Sequence, residues 1–201
     1  IVAFQNGEDG LNPDGIVACI KHFPGAGPQM DGKDTSPIVS DEETLQIHLK
    51  PYYAAIDVNV GSVMPYYSVP LALDMENSAI GSKAALQDLL REQMGFEGII
   101  QTDWGLNFSG AANAGADVLG GAGVRSARQL VDEVDEERLT DACRRILIAK
   151  FELGLFENPY SDVNKALAIA ASAGACTTIG TKPPARELVD ELVKEVNLTY
   201  L

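Results

Sequence analysis

Short apolar runs alternate with longer amphipathic stretches along most of the chain. The runs are rich in β-branched residues and carry little charge, which is typical of strands buried on both faces. The strand candidates are residues 15–20, 61–64, 96–102 and 116–119. The helix candidates, which carry apolar residues at helical spacing, are residues 40–56, 82–94, 107–114, 126–134 and 136–153. The pattern therefore predicts four successive strand–helix units.

The first long helix is predicted to begin at a capping box. Ser40 is the expected N-cap, and Glu43 follows at the position from which its side chain can reach back to the cap. Leu45 and Leu49 then fall on one face, as in helices that pack against a core. Arg91, inside a later helix candidate, is interpreted as structural.

Buried strands separated by helices predict an α/β fold with a parallel sheet. Right-handed crossovers allow either a portion of a (β/α)8 TIM-like barrel, with about four β/α units, or a doubly wound sheet. Four units are half of a closed barrel, so the pattern predicts an incomplete one. From residue 157 onward it changes to a short helical tail, with helices predicted over 163–173 and 184–196. We expect domains at 1–156 and 157–201, the second too short for a core of its own.

The charge balance narrows the classes of partner. The chain has 29 acidic and 15 basic residues and a formal net charge of -14. Because binding to phosphates or anionic lipid needs a basic face, we expect no nucleic acid and no membrane partner. The chain begins with Ile1 rather than methionine, which suggests a start further upstream. Periplasmic, secreted and cytoplasmic locations all stay open.

The sequence gives little support for a cysteine-based metal site or for a nucleotide-binding loop. Cys19, Cys143 and Cys176 lie far apart without a C-x-x-C pair, so we predict no metal site and no cofactor. Residues 27–33 fit G-x-x-x-x-G-K, the loop whose amides bind nucleotide phosphates. The next residue, Asp34, is neither Ser nor Thr, which argues against a nucleotide site.

Four sequence blocks occur in a fixed order along the chain. They are residues 21–27 (KHFPGAG), 63–67 (VMPYY), 89–104 (LLREQMGFEGIIQTDW) and 144–156 (RRILIAKFELGLF). In this order and spacing they resemble the blocks of glycoside hydrolase family 3, in its β-glucosidase and β-xylosidase branch. The resemblance implies that 1–156 are the carboxy-terminal half of a catalytic β/α-barrel. It also implies that 157–201 are a linker and the helical remnant of a following domain.

Asp103 is the strongest candidate for chemistry. It ends an apolar strand candidate, where a charge is costly to bury unless it has a use. The residues alone also allow an N-cap of the next helix. The resemblance implies that Asp103 is the nucleophile of a retaining glycosidase and forms a covalent glycosyl-enzyme. Trp104 would then give the sugar ring an apolar platform.

The other predicted substrate-binding residues lie near the ends of the first two strand candidates. The resemblance implies that Lys21 and His22 donate hydrogen bonds to sugar hydroxyls and that Tyr67 orients the nucleophile. Met64, at a strand end, completes the set. From the residues alone, two alternatives stay open: that Lys21 is simply a solvent-exposed side chain, and that His22 is a residue of the core. Tyr66 is a weaker candidate for the role of Tyr67.

The general acid is the element that the sequence does not supply. A retaining mechanism needs a second carboxyl roughly 5 Å from the nucleophile, and no residue here matches it. The resemblance implies an exo-acting β-glycosidase that hydrolyses terminal β-D-glucosyl or xylosyl residues of a β-glucoside or oligosaccharide. Expected partners are this substrate and either the missing barrel half with a following domain, or further copies of the chain. The alternative is a non-catalytic half-barrel that binds sugar or a complementary fragment.

Overall fold

The computed structural model describes residues 1–7, 9–27, 29–74, 76–104, 107–160 and 162–176. The chain divides into two units, Ile1–Phe156 and Glu157–Leu201. The assignment of 1–156 to a barrel half and of 157–201 to a linker and domain remnant stays a prediction. The helix predicted over 184–196 lies outside the described residues.

The first unit is built on a parallel sheet, as the sequence predicts. Strands β1 (Cys19–Phe23), β2 (Ser62–Pro65) and β3 (Ile99–Ile100) lie in the order β1-β2-β3 and pair in parallel. The segment predicted as a fourth strand contributes an isolated parallel bridge, between Gln101 and Val118. The parallel α/β fold is thus confirmed, but residues 116–119 do not form a regular strand.

Helices connect the strands and cover the sheet. The helices of the first unit are α1 (Val2–Gln5), α2 (Glu42–Ile56), a π-helix (Ala84–Gln93), α3 (Phe108–Ala114), α4 (Val124–Glu133) and α5 (Glu136–Glu152). The positions of all except α1, which the sequence pattern did not predict, agree with the predicted helices, with ends shifted by a few residues. In the second unit, α6 covers Val163–Cys176 and overlaps the helix predicted over 163–173. None of the helices in the described part of the chain is long and apolar enough to cross a membrane.

The first strand begins later than the apolar pattern predicts. The amide of Ile16 donates to the carbonyl of Phe4 in α1 at 3.0 Å, which holds the start of the predicted run against the amino-terminal helix. Regular pairing with β2 begins at Cys19 instead. Lys21 and His22 therefore belong to the strand itself, not to the loop after it.

The N-cap of α2 also differs from the prediction. Asp41, not Ser40, caps the helix, because its Oδ1 accepts a hydrogen bond from the amide of Thr44 at 2.8 Å. Hydrogen bonding to the Thr44 side chain, and then to its amide, lowers the pKa of Asp41. Since Ser and Asp are both good N-caps, the sequence motif did not fix which of the two adjacent residues would be used.

The core lies between the sheet, α2 and the π-helix. Its fully buried apolar side chains come from all three elements, so the core fixes the strands relative to the helices. These side chains are Phe23, Leu49, Val63, Leu86, Leu90 and Ile100. Truncating Phe23, Ile100 or one of these leucines to alanine should lower the free energy of unfolding by roughly 2–5 kcal/mol.

A buried ion pair ties the π-helix to the segment after α3. Arg91 donates to Asp117 Oδ2 at 2.6 Å and to the carbonyls of Phe96 and Gly98 at 2.8 and 2.6 Å. Arg138 of α5 donates to Asp117 Oδ1 at 2.5 Å. The Asp117 side chain is 0% exposed, and both of its oxygens are paired. The structural interpretation of Arg91 is confirmed.

Candidate active site

Parallel strands bring most of the predicted site residues to one edge of the sheet. Lys21 and His22 lie in β1, Met64 lies in β2, and Tyr67 and Asp103 follow β2 and β3. Lys21 is opposite Met64 in the strand register. We call these five residues the rim. They lie toward the carboxyl ends of the strands, where α/β folds place their ligand sites.

Asp103 is half-buried and is contacted by uncharged groups. Its Oδ1 accepts from the backbone amide of Trp104 at 2.9 Å. The Tyr67 hydroxyl accepts from that amide and donates to the Trp104 carbonyl, both at 3.0 Å. Burial raises the pKa of Tyr67; the backbone of Trp104 opposes the shift, and the charge of Asp103 adds to it. The phenol therefore stays protonated beside the carboxylate at neutral pH.

The next helix does not use Asp103 as its cap. Asn107 is the N-cap of α3, and its side-chain oxygen accepts from the amide of Gly110 at 3.1 Å. The alternative interpretation of Asp103 as an N-cap is therefore wrong, and its carboxylate remains at the rim.

His22 is half-buried and uncharged at neutral pH. Burial lowers the pKa of His22, and Lys21 lowers it further, while the carboxylates of Asp103 and Asp34 oppose the shift. A neutral imidazole offers one N–H donor and one acceptor nitrogen. Its ring packs on Tyr66 with 4.9 Å between ring centroids.

The remaining predicted residues differ in how much they are exposed. Lys21 is exposed, so its ammonium group stays solvated and its long side chain is free to change conformation. Met64 is half-buried. Trp104 is 72% exposed and presents a broad aromatic surface next to Asp103. An exposed indole of this kind offers a large apolar contact area with a polar N–H at its edge.

A second polar cluster lies beside the rim and was missed by sequence reasoning. The buried Tyr66 donates its hydroxyl proton to Asp34 Oδ1 and accepts from Gln29 Nε2. Ser68 Oγ donates to the Asp34 carbonyl at 2.9 Å. Tyr66 thus has a role of its own, distinct from that of Tyr67. Asp34 and Tyr66 are separated by 32 positions, and no motif linked them.

The described part of the loop over residues 27–33 does not have the geometry of a phosphate-binding loop. It contains a 3-10 turn at Met30–Gly32, with Asp31 in the left-handed region at φ 58°. No helix starts directly after Lys33, and α2 begins only at Glu42. A P-loop instead ends at a helix N-terminus, whose amides bind the phosphates.

Cysteine and acidic side chains are the other potential ligands for a metal ion. Within the described residues, no group of three or more His, Cys, Asp and Glu side chains is placed to hold a metal ion. Cys19 and Cys143 are exposed free thiols.

Known proteins with related sequences carry β-glucosidase names. The chain is 36% identical over 200 residues to the probable beta-glucosidase C of Aspergillus flavus, covering 83% of this chain and 31% of that protein. It is 29% identical over 223 residues to the periplasmic beta-glucosidase/beta-xylosidase of Dickeya chrysanthemi, covering 86% and 34%. The chain thus spans about a third of the length of these relatives.

Solved structures and a family model agree with the sequence relatives. The crystal structure of the beta-glucosidase from Listeria innocua superposes with a TM-score of 0.67 at 27% identity, over 80% of this chain and 25% of that one. Structural neighbours of this kind imply an α/β, TIM-barrel-like domain. The model of the glycosyl hydrolase family 3 N terminal domain matches residues 5–179. The chain belongs to glycosyl hydrolase family 3.

Proposed function

We propose that this chain forms part of a retaining, exo-acting β-glycosidase that removes terminal β-D-glucosyl or xylosyl residues, with Asp103 as nucleophile. The observation that carries the proposal is the environment of Asp103 at the rim. Its carboxylate lies beside the neutral Tyr67 phenol and within electrostatic reach of the neutral His22 imidazole. Uncharged neighbours orient a carboxylate without cancelling the negative charge that the reaction needs.

The proposed chemistry takes place at the sugar's anomeric carbon. An oxygen of Asp103 forms a bond to that carbon while the bond to the leaving oxygen breaks, giving a covalent glycosyl-enzyme. Water then attacks the same carbon, and Asp103 is released as a carboxylate. The negative charge of Asp103 also stabilises the oxocarbenium character of both transition states.

The rim residues and Trp104 would bind and orient the sugar. Lys21 and His22 are proposed to donate hydrogen bonds to hydroxyl groups, since both carry N–H donors and lie in β1 toward its carboxyl end. The exposed indole of Trp104 would pack against a sugar face, and Met64 of β2 would contribute to the apolar lining of the sugar site. Tyr67 is proposed to orient the nucleophile through its hydrogen bonds next to it.

The general acid is proposed to come from outside this chain. Asp34 is a further carboxylate near the rim, but its Oδ1 is already engaged as the acceptor of the hydrogen bond from the Tyr66 hydroxyl. We propose that 1–156 supply the carboxy-terminal half of the catalytic barrel, with about four β/α units, the last of which contributes a single bridge instead of a regular strand. Residues 157–201 would be a linker and the remnant of a following domain.

The test is to trap the covalent intermediate. A 2,4-dinitrophenyl 2-deoxy-2-fluoro-β-glucoside has a leaving group that departs without protonation, so labelling needs the nucleophile but not the general acid. We expect intact mass to rise by one fluoroglucosyl unit, and peptide mapping to locate the label on Asp103. The Asp103→Asn variant should take no label. Asp88→Asn, which changes an exposed carboxylate of the π-helix in the same way, should label normally.

The same experiment distinguishes the alternative function. Asp34, the further carboxylate described near the rim, is hydrogen-bonded to Tyr66, and this contact favours, as the alternative, a non-catalytic half-barrel that binds sugar. Such a protein would bind the glucoside reversibly and take no label at any residue. Labelling of Asp103→Asn, or a label on another residue, would instead contradict the assignment of the nucleophile.

A further inference from the structure

The loop between β1 and α2 is folded onto the loop after β2. Gln29 pairs with Ile38 in an antiparallel bridge, and the amide of Ile38 donates to the carbonyl of Val69 at 2.9 Å. Ile38 is 3% exposed and packs in a small apolar cluster with Tyr66 and Ala79. This part of the loop, residues 29–38, therefore has a defined position beside the rim.

Within this arrangement, Tyr66 lies between a carboxylate and an imidazole. Its hydroxyl is hydrogen-bonded to Asp34 and Gln29, which fixes the outer end of the side chain. The face of its ring packs on His22 at 4.9 Å, with an angle of 37° between the ring planes. Only 4% of Tyr66 is exposed. An ordered ring in contact with His22 limits the orientations that the imidazole can adopt.

We propose that Asp34 is a positioning residue that acts through Tyr66 to hold the His22 imidazole in its orientation at the rim. The contact with sugar is made by His22, and Asp34 and Tyr66 act only through it. This inference deepens the proposed function, on which its consequence for sugar binding rests. The geometry of the three residues does not depend on that function.

The chain provides a direct reporter of this arrangement. It contains two histidines, His22 and His48, so the imidazole Cε1–H region of a proton NMR spectrum should show two resonances. A His48→Gln variant assigns them. His48 packs against Gly25 and Gly27, since a Cβ on these glycines would come within 2.8 and 2.9 Å of it. A general rearrangement of the loop would therefore move the His48 resonance as well.

Three variants separate the hydrogen bond from the charge. Tyr66→Phe keeps the ring and loses the hydroxyl, Asp34→Ala removes the acceptor, and Asp34→Asn keeps an acceptor oxygen without the charge. We expect the first two to move the His22 resonance while that of His48 stays in place. At pH values above the titration range of His22, Asp34→Asn should leave the His22 resonance near its position in the unmodified protein. Asp31→Asn, the matched charge change in the same exposed loop, should have no effect.

Charge adds a second signature in the pH titration of His22. Among the described residues, the charged groups that face it are Lys21, Asp103 and Asp34, and of these the two carboxylates raise its pKa. Asp34→Asn should therefore shift the His22 midpoint to lower pH, while Tyr66→Phe retains the carboxylate. An unmoved midpoint in Asp34→Asn would contradict the electrostatic part of the inference.

Binding gives the functional readout. Loss of one hydrogen bond of this kind should weaken binding of methyl β-glucoside by about 3- to 10-fold. In the Asp34→Ala and Tyr66→Phe double variant, the loss should be no larger than in either single variant, because both act in one chain of contacts. Additive losses, or a His22 resonance unmoved in Asp34→Ala, would overturn the proposal. If the resonances move as expected and no label forms on Asp103, the positioning role stands and the proposed function fails.

Discussion

Two aspartates in the first unit have opposite environments. Asp117 is fully buried, and its carboxylate is paired with the guanidinium groups of Arg91 and Arg138 and with the Ile100 amide at 2.8 Å. Asp103 is half-buried and is contacted by a backbone amide and a phenol. The first carboxylate has its charge compensated by two cations, and the second is oriented by neutral groups.

The difference indicates what each carboxylate can do. A carboxylate held by two arginines contributes to the fold but is a poor nucleophile, because its electron pairs are engaged in charge-assisted hydrogen bonds. Burial lowers the pKa of Arg91 to about 10, and Asp117 opposes that shift, so the guanidinium stays charged at neutral pH. We therefore expect substitutions of Asp103 to affect activity and those of Asp117 to affect stability.

The largest expected effect is the loss of turnover in Asp103→Asn. Because the amide cannot form the glycosyl-enzyme, kcat for hydrolysis of an aryl β-glucoside should fall more than about a thousandfold. The Tm should change by less than about 2 °C, since Asp103 forms no ion pair with any residue that the structure describes. Steady-state assays and thermal unfolding measure the two quantities. Hydrolysis at the unmodified rate would contradict the proposed role.

Asp117→Asn should lower stability, whereas Asp103→Asn should lower activity. Removing the charge leaves Arg91 buried without its counterion, while Arg138 keeps its contact with Asp141. The free energy of unfolding should therefore fall by about 3 kcal/mol or more. Urea unfolding at neutral pH measures this. The surface variant Asp88→Asn is the control and should change the free energy by less than about 0.5 kcal/mol. A stability loss as small as that of the control would contradict the structural role of Asp117.

The two aspartates also differ in how much of their environment the sequence predicts. The parallel α/β order follows from apolar runs and helical spacing, which are local patterns. The candidate rim follows from motifs next to predicted strands, and the structure places His22, Tyr67 and Asp103 at one edge. Asp117, however, lies inside an apolar run, and nothing near it in the sequence indicates that Arg91 and Arg138 pair with it.

The features that sequence reasoning missed depend on contacts between distant residues. The start of β1 is set by the hydrogen bond between Ile16 and Phe4, which no periodicity reveals. The link between Asp34 and Tyr66 joins two loops and depends on their relative position. The wide turns of the π-helix over Ala84–Gln93 carry the same Leu and Ala spacing as an ordinary helix.

A smaller effect is expected from Tyr67→Phe, which tests how neutral donors orient Asp103. The ring remains and the hydroxyl is lost, so kcat/KM for an aryl β-glucoside should fall about tenfold, the equivalent of one well-made hydrogen bond. Tyr53→Phe is the matched control, because Tyr53 lies on α2 and is 39% exposed. Equal activity in the two variants would mean that the Tyr67 hydroxyl does not orient the nucleophile.

The smallest effect concerns Asp141, an exposed counterpart of Asp117. It also contacts several arginines, Arg138, Arg144 and Arg145, but its side chain is 36% exposed. Solvent screens these contacts, so Asp141→Asn should lower the free energy of unfolding by about 0.5–1 kcal/mol at neutral pH. Urea unfolding gives the value, and a loss equal to that of Asp117→Asn would mean that burial does not decide the strength of these pairs.

The pH dependence of this difference has a defined sign. Burial raises the pKa of Asp141, but hydrogen bonds from Arg144 and Arg145 outweigh it, so the folded-state pKa lies below its usual value. The stabilisation is therefore complete above about pH 4 and is lost as the pH falls through the lower folded-state pKa. Unfolding of Asp141→Asn and the unmodified protein should converge in that acid range. A difference that persists there would mean that Asp141 stabilises the fold through packing rather than through its charge.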